Sequence, residues 1–218
     1  MAEAAIFDAG GVLTTSVRAC FLEFERAVGL PRDSLLPVLR QPGQDGSEPA
    51  FYALERGRLA EAEFWRRLPE EVEARLGIEV DVPSDVDEVR QLLWRSLGPN
   101  REMLAAARAI STTYKTALLT NGVREWAHLR ALACPEIFDV VVDSCEVGFR
   151  KPEPQIYEVA CTRLGVEYKD AVFVDDIPDN VRAARSLGMT GILFETTDQA
   201  IGLLRSHFPA AFLIEGPG

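Results

Sequence analysis

Long apolar runs, clusters of basic residues and paired cysteines are all missing from this sequence. No stretch approaches the ~20 consecutive apolar residues that a membrane-spanning helix needs. The N-terminus has no basic stretch followed by a long apolar segment, so it does not read as a secretory signal. Lys and Arg number 23 against 34 Asp and Glu, a net charge of −11, and no block of Lys or Arg interrupts the deficit. That balance excludes nucleic acid and anionic membrane surfaces as expected partners, because neutralisation of phosphates by Lys and Arg dominates such binding. A small anionic substrate is not excluded, since it responds to the charge in a cleft rather than to the total. Cys20, Cys134, Cys145 and Cys161 form no C-x-x-C pair, and His128 and His207 stand alone. Scattered free thiols in a reducing compartment are the reading, with no framework for a zinc site or a thiol nucleophile. The expected location is cytoplasmic, and the oligomeric state is not legible.

What is present is enough apolar material for a real core. The 218 residues are 47% hydrophobic, which suits one large domain or one domain carrying a modest insert. Five short segments, AAIF, KTALLT, FDVVVD, AVFVD and TGILF, read as buried parallel strands. Helical patterns separate them: VREWAHLRALA after LLTNG, QIYEVACTRLG after RKPEP, and DNVRAARSLG, closed by Gly188, after VDDIP. This alternation predicts an α/β fold with helices on both faces of an open parallel sheet.

One interval breaks the alternation. From about Val17 to Leu97 the patterns are helical with almost no strand. Val17, Phe21, Phe24 and Val28 follow helical spacing, as do Phe64, Leu68, Val72 and Leu76, and Val86, Val89, Leu93 and Leu97. Pro69 is expected to kink the second of these helices or to begin a new one. RQPGQDGSEP reads as a polar loop, and the sheet is expected to resume near Arg101. A helical module is therefore inserted after the first strand.

In open α/β sheets chemistry sits at the carboxyl ends of the strands. Asp8 ends the first strand, Thr120-Asn121-Gly122 the second and Asp175-Asp176 the fourth, while Lys151 follows the third. Each has a plain alternative. Asp8 could stabilise a turn, Asp176 could cap a helix, Thr120 and Asn121 suit a turn with Gly122, and an isolated lysine is usually solvated. Together they gather two acidic clusters, a lysine and small polar groups around one point of the fold.

In their order, the motifs FDAGGVLT, ALLTN, RKPEPQIYEVA and VFVDDIPDNVRAARSLGM resemble those of the haloacid dehalogenase-like hydrolases. The resemblance covers nearly the whole chain. It is closest to the branch containing the N-terminal phosphatase domain of soluble epoxide hydrolase and related sugar-phosphate phosphatases. It implies a Rossmann-like five-stranded parallel sheet of order 3-2-1-4-5 over residues 1–15 and 99–218, with a small helical cap over 16–98. It also implies Asp8 as a nucleophile that forms an aspartyl-phosphate on a small phosphorylated metabolite. Mg²⁺ would be held by the Asp8 carboxylate, the Gly10 carbonyl and Asp176, with Asp175 in support. Gly10, Gly11, Thr120, Asn121 and Lys151 would surround the phosphoryl group. Gly11 and residues 98–100 are expected hinge points. Gln44, Asp45, Phe51, Tyr52 and Trp65 are the cap residues that could face the cleft, although their helical faces suit a core as well.

The sequence departs from the family at position 10. Most phosphatases of the superfamily carry there a second Asp, which protonates the leaving alcohol and then activates water. This chain has Gly10. Such general acid–base catalysis is typically worth ~10²–10⁴-fold. Three readings follow: a phosphatase for substrates with good leaving groups, such as an anomeric sugar phosphate, with Asp45 and Glu48 as candidate helpers; a metal-independent 2-haloacid dehalogenase using Asp8 on carbon; or a binding or regulatory protein on the same fold. Crowding of Asp8, Asp175 and Asp176 beside one lysine favours the first, since such a group of carboxylates would repel a haloacid. Restoring Asp at position 10 is expected to speed hydrolysis of alkyl phosphates.

Overall fold

Strands of four to six residues form here because each apolar segment is short enough to be buried on both faces. The computed structural model describes residues 2–43 and 46–213. Gln44 and Asp45 therefore lie outside the described residues, as does the side chain of His128. In chain order the elements are β1 (Ala4–Phe7), then α1 (Val17–Ala27), α2 (Leu35–Leu39), α3 (Ala50–Glu55), α4 (Glu61–Leu76) and α5 (Val86–Trp94). There follow α6 (Arg101–Ser111), β2 (Lys115–Thr120), α7 (Ala127–Arg130), β3 (Val140–Asp143), α8 (Ser144–Val147) and α9 (Pro154–Leu164). The chain continues through β4 (Ala171–Asp175), α10 (Pro178–Ser186), β5 (Thr190–Leu193) and α11 (Thr197–His207).

The sheet is parallel throughout, in the order β3-β2-β1-β4-β5. This is the expected Rossmann-like α/β architecture with an inserted helical region. Ala4 lies opposite both Lys115 and Ala171, and Phe7 opposite both Leu118 and Val174. That register brings the carboxyl ends of β1, β2 and β4 to one edge. Side chains alternate across the sheet with the period of two that a strand imposes. Ala5, Phe7, Val172 and Val174 join a core covered by α6 and α11, while Ala4, Ile6, Ala171 and Phe173 join one covered by α9 and α10.

A third core lies in the inserted region. Phe21 and Phe24 of α1, Phe51 and Leu54 of α3, Phe64, Trp65 and Leu68 of α4, and Leu93 of α5 are all buried in it. Two chain crossings link this region to the sheet, and they are bonded to one another. Thr15 N donates to Gly98 O at 2.8 Å, Gly98 N donates to Thr15 Oγ1 at 3.1 Å, and Asn100 N donates to Leu13 O at 2.7 Å. Among the described residues no helix is long and apolar enough to cross a membrane.

Three local expectations are corrected. First, no new helix begins at Pro69: α4 continues through it. Its buried face of Phe64, Trp65, Leu68 and Val72 outweighs the single helical bond that proline removes. Second, VREWAHLRALA is not one helix but a 3₁₀ turn, the short α7 and a second 3₁₀ turn. Outward anchors hold it so: the Trp126 indole N–H donates to Glu61 Oε1 of α4 at 2.6 Å, and Arg130 pairs with Asp143 at 2.6 Å. Third, Arg101 begins a helix, α6, and the sheet resumes only at Lys115.

Candidate active site

Asp8 is the first residue past β1, and the sheet still holds it: its N–H donates to Val174 O at 2.9 Å. Its Oδ1 accepts from the N–H of Ala9 at 2.7 Å, and only 6% of the residue is exposed. The chain then turns sharply, with the N–H groups of Leu13 and Thr14 both donating to Ala9 O at 3.0 Å. Gly11 sits in this turn at φ +92°, in the left-handed region that favours glycine. A Cβ there would stand 2.5 Å from Asp176 Cγ, so the bare position is what lets the Asp176 carboxylate close on the turn.

Gly10 is bare for a different reason. A Cβ at this position would lie 2.7 Å from Val17 Cγ2 and 3.9 Å from Val17 Cβ. Val17 opens α1, where a β-branched side chain has one strongly preferred rotamer. Its methyl cannot move aside cheaply. A side chain at position 10 would therefore begin against Val17, which must shift to admit it.

Lys151 approaches from the loop between α8 and α9 and is almost wholly buried. Its ammonium donates to Leu119 O at 2.9 Å and to Asp175 Oδ2 at 2.8 Å, and lies 2.6 Å from Asp8 Oδ1. Three donors thus meet three acceptors. Asn121 fixes the backbone that carries this lysine. Its Oδ1 accepts from Lys151 N at 2.8 Å and its Nδ2 donates to Lys151 O at 3.1 Å. Thr120 is buried at the tip of β2.

Asp175 and Asp176 are adjacent in sequence but differently engaged. Asp175 is fully buried and saturated with donors. Besides Lys151, it accepts from Ile177 N at 2.8 Å and from Asn180 Nδ2 at 3.0 and 3.1 Å. Asp176 faces the Asp8 turn instead, against Gly11. Asp8, Asp175 and Asp176 each offer a carboxylate oxygen, and these three oxygens all lie within 4.8 Å of one another.

The electrostatics of this group are unbalanced. Burial pushes the Asp8 carboxyl up to about 8; Lys151 opposes the shift and the neighbouring Asp175 and Asp176 add to it. Burial, with Asp175 next, pushes Asp176 up to about 6. Burial alone would lower Lys151, but Asp175 and Asp8 outweigh it and hold the ammonium charged far above its ordinary range. Three carboxylates therefore share one lysine, and a divalent cation would complete the balance. Their hard oxygen donors suit Mg²⁺.

The inserted region is tied firmly beside this site. Arg56 forms a forked ion pair with Glu153, pairs with Glu48 at 2.6 Å and donates to Gly148 O at 3.1 Å. Arg150, next to Lys151, pairs with the buried Glu55 at 2.6 Å and covers the Tyr52 ring at 3.7 Å. Ser144 Oγ donates to Glu55 O at 2.5 Å. Of the cap residues expected near the cleft, Tyr52 thus lies under Arg150, while Phe51 and Trp65 are buried in the inserted core. Glu48, a candidate helper, is bound to Arg56 and Arg58. The cysteines stand apart from this chemistry. All four are free thiols, and burial pushes Cys145 up to about 12.

Asn180, Arg150 and Val17 carry site geometry that the sequence reading passed over. Asn180 had a signal in its place five residues after Asp175, in the first turn of a helix that points back at it. Val17 had none, because its contact with Gly10 is set by the angle at which α1 leaves the loop.

Comparison with known proteins places this geometry among relatives. A family model described as haloacid dehalogenase-like hydrolase matches residues 2–188. Bifunctional epoxide hydrolase 2 of Sus scrofa is 32% identical over an alignment of 213 positions that covers 91% of this chain and 37% of that protein. The chain spans about two fifths of the length of the epoxide hydrolases it matches, 37–40%. The solved structure of a protein from Porphyromonas gingivalis, described as a predicted HAD-like family hydrolase, aligns with TM-score 0.67 and 25% identity, over 94% of this chain and 98% of that one. An L-2-haloacid dehalogenase from Xanthobacter autotrophicus, with chloropropionic acid covalently bound, aligns with TM-score 0.59 and 25% identity, over 88% of this chain and 76% of that one.

Proposed function

The chain belongs to the haloacid dehalogenase-like hydrolases, and from that premise we propose that it is a Mg²⁺-dependent phosphatase acting on a small phosphorylated metabolite, a sugar phosphate among the candidates. One observation carries the proposal: three carboxylate oxygens within 4.8 Å of one another, against a single lysine. A site of that charge repels a haloacid carboxylate but gains from a cation. The Asp8 carboxylate, the Gly10 carbonyl and Asp176 would hold Mg²⁺. When bound, it supplies charge that shields the nucleophile from the phosphate and stabilises in-line transfer.

The chain's own residues do the rest. Asp8 attacks phosphorus through a carboxylate oxygen. A new P–O bond forms to Asp8 as the bond to the leaving oxygen breaks, giving an aspartyl-phosphate. Water then attacks that phosphorus and releases inorganic phosphate and the free carboxylate. Lys151 opposes the burial that pushes Asp8 towards its neutral form, would keep that nucleophile ionised together with a bound cation, and neutralises the developing charge, while Asn121 and Asp175 hold the lysine in place. The Thr120 hydroxyl and the Asn121 backbone N–H donate to the phosphoryl oxygens. The identity to the epoxide hydrolases covers most of this chain but under half of theirs, which supports a place in the branch of their phosphatase domain.

The test is a panel of phosphate esters and 2-haloacids, each assayed with Mg²⁺ and with EDTA. Phosphate release that needs Mg²⁺ and disappears in Asp8→Asn is expected. Halide release that persists in EDTA would replace this reading with the dehalogenase one. No turnover of either class would leave a binding role.

A further inference from the structure

We propose that Glu55 is a positioning residue: from the inserted region it holds Arg150, and through Arg150 the loop that presents Lys151 to Asp8, so that seating of the inserted region and placement of the lysine are one event. The inference rests on the phosphatase reading, in which Lys151 serves the nucleophile, and gives Glu55 a part in it.

The loop between α8 and α9, residues 148–153, has neither helix nor strand to stiffen it, and Phe149 and Pro152 in it are exposed. The sheet and its loops grip Lys151 itself: Asn121 holds its backbone N and O, while Leu119 O, Asp175 and Asp8 meet the ammonium. The residues around the lysine are gripped from the inserted region. Arg56 donates to Gly148 O at 3.1 Å and forks onto Glu153. Arg150, immediately before the lysine, donates to Glu55 Oε2 at 2.6 Å and lies over the Tyr52 ring.

Glu55 can serve as the fixed end of this contact because α3 is itself seated on the sheet side. Ser144 Oγ donates to Glu55 O at 2.5 Å and accepts from Gly122 N at 3.0 Å. Two residues on, Gly57 turns at φ +68°, where a Cβ would stand 2.6 Å from Cys145 O. The side chains of Arg150 and Glu55 are only 11% and 9% exposed. Removing one partner of such a pair strands a charge, whereas replacing both is often neutral for stability. Stability and positioning can therefore be separated. If the inserted region shifted and carried Glu55 with it, Arg150 would be drawn along and the lysine backbone moved off its line to Asp8. A displacement of ~1 Å in a positioned group can cost ~10²-fold in rate.

The experiment compares wild type, Glu55→Gln, Arg150→Met and the double variant. The readouts are kcat and KM with Mg²⁺ for whichever phosphate ester wild type turns over fastest, thermal melting, and amide hydrogen exchange. Each single variant is expected to lower Tm, and the double variant, which strands no charge, to recover most of that loss. In all three, kcat is expected to fall by ~10–10²-fold with KM nearly unchanged. In the double variant, exchange should quicken at residues 148–153 and not in β1 or β4. A field acting on Lys151 would move the two single variants in opposite directions, since one removes a negative charge and the other a positive one; a joint fall excludes it. Where a single variant fails to fold, the double variant carries the test. Recovery of kcat together with Tm in the double variant makes the pair structural only and overturns the proposal. So do opposite shifts of kcat in the single variants, or exchange at 148–153 equal to wild type. Absence of phosphate release from every ester by the wild-type protein overturns the phosphatase reading instead, and the exchange comparison then decides by itself whether Glu55 holds the lysine loop.

Discussion

Replacing Lys151 by methionine removes the only lysine among the three carboxylates while filling nearly the same volume. The ammonium meets Leu119 O at 2.9 Å, Asp175 Oδ2 at 2.8 Å and Asp8 Oδ1 at 2.6 Å, all in a buried setting. Breaking a buried ion pair by deleting one partner costs about 3–5 kcal/mol. At about 2–4 °C per kcal/mol for a chain of this size, Tm should fall by roughly 6–20 °C. The loss should depend on pH. Burial already pushes Asp8 up to about 8 against the opposing pull of Lys151, so without the lysine the abandoned carboxyl takes its proton at higher pH still, and on the acid side part of the penalty disappears. The assay is thermal melting by circular dichroism in EDTA, well above and well below that pH, for wild type and Lys151→Met. A larger loss on the alkaline side is expected. A fall of less than about 2 °C, or one that is the same on both sides, would refute the view that this lysine balances the acidic group.

Two further outcomes follow from the same geometry. In EDTA the wild-type protein should lose stability as pH rises from near the unfolded carboxylate value, 3.8, towards about 8, because Asp8 and Asp176 bind protons more tightly in the folded state than in the unfolded chain. Mg²⁺ should flatten that decline; melting temperatures that hold level or climb over this range in EDTA would contradict it. Gly11→Ala should weaken Mg²⁺ uptake at least tenfold by calorimetry and cost ~1–3 kcal/mol of stability, since it forces a Cβ into a left-handed turn and against the Asp176 carboxylate. An affinity equal to wild type would show that the Gly11–Asp176 contact is dispensable.

The sheet was legible because its signal is local. Each strand is a short apolar run, the first four of which run into an Asp or a Thr, and the order of the four motifs fixed their places. The acidic residues were legible for a related reason: they stand at strand ends, where topology alone brings them together. What stayed hidden depends on how separate elements meet. The saturation of Asp175 by Asn180, the clamp of Asn121 on the Lys151 backbone and the obstruction of position 10 by Val17 are contacts between segments, and no periodicity encodes them. VREWAHLRALA shows the converse failure. Its spacing is helical, yet the pull of Trp126 towards Glu61 and of Arg130 towards Asp143 divides it into short turns.

The placing of β1 has a consequence for how the chain assembles. Its two neighbours, β2 and β4, begin at Lys115 and Ala171, so the central strand is synthesised before either partner and gains its second only at Ala171. The helical insert can gather most of its own apolar core while the nascent polypeptide is still leaving the ribosome. The opening strand must wait through that interval with both edges unsatisfied. At only four residues, from Ala4 to Phe7, it offers little surface for mispairing with another chain in the meantime.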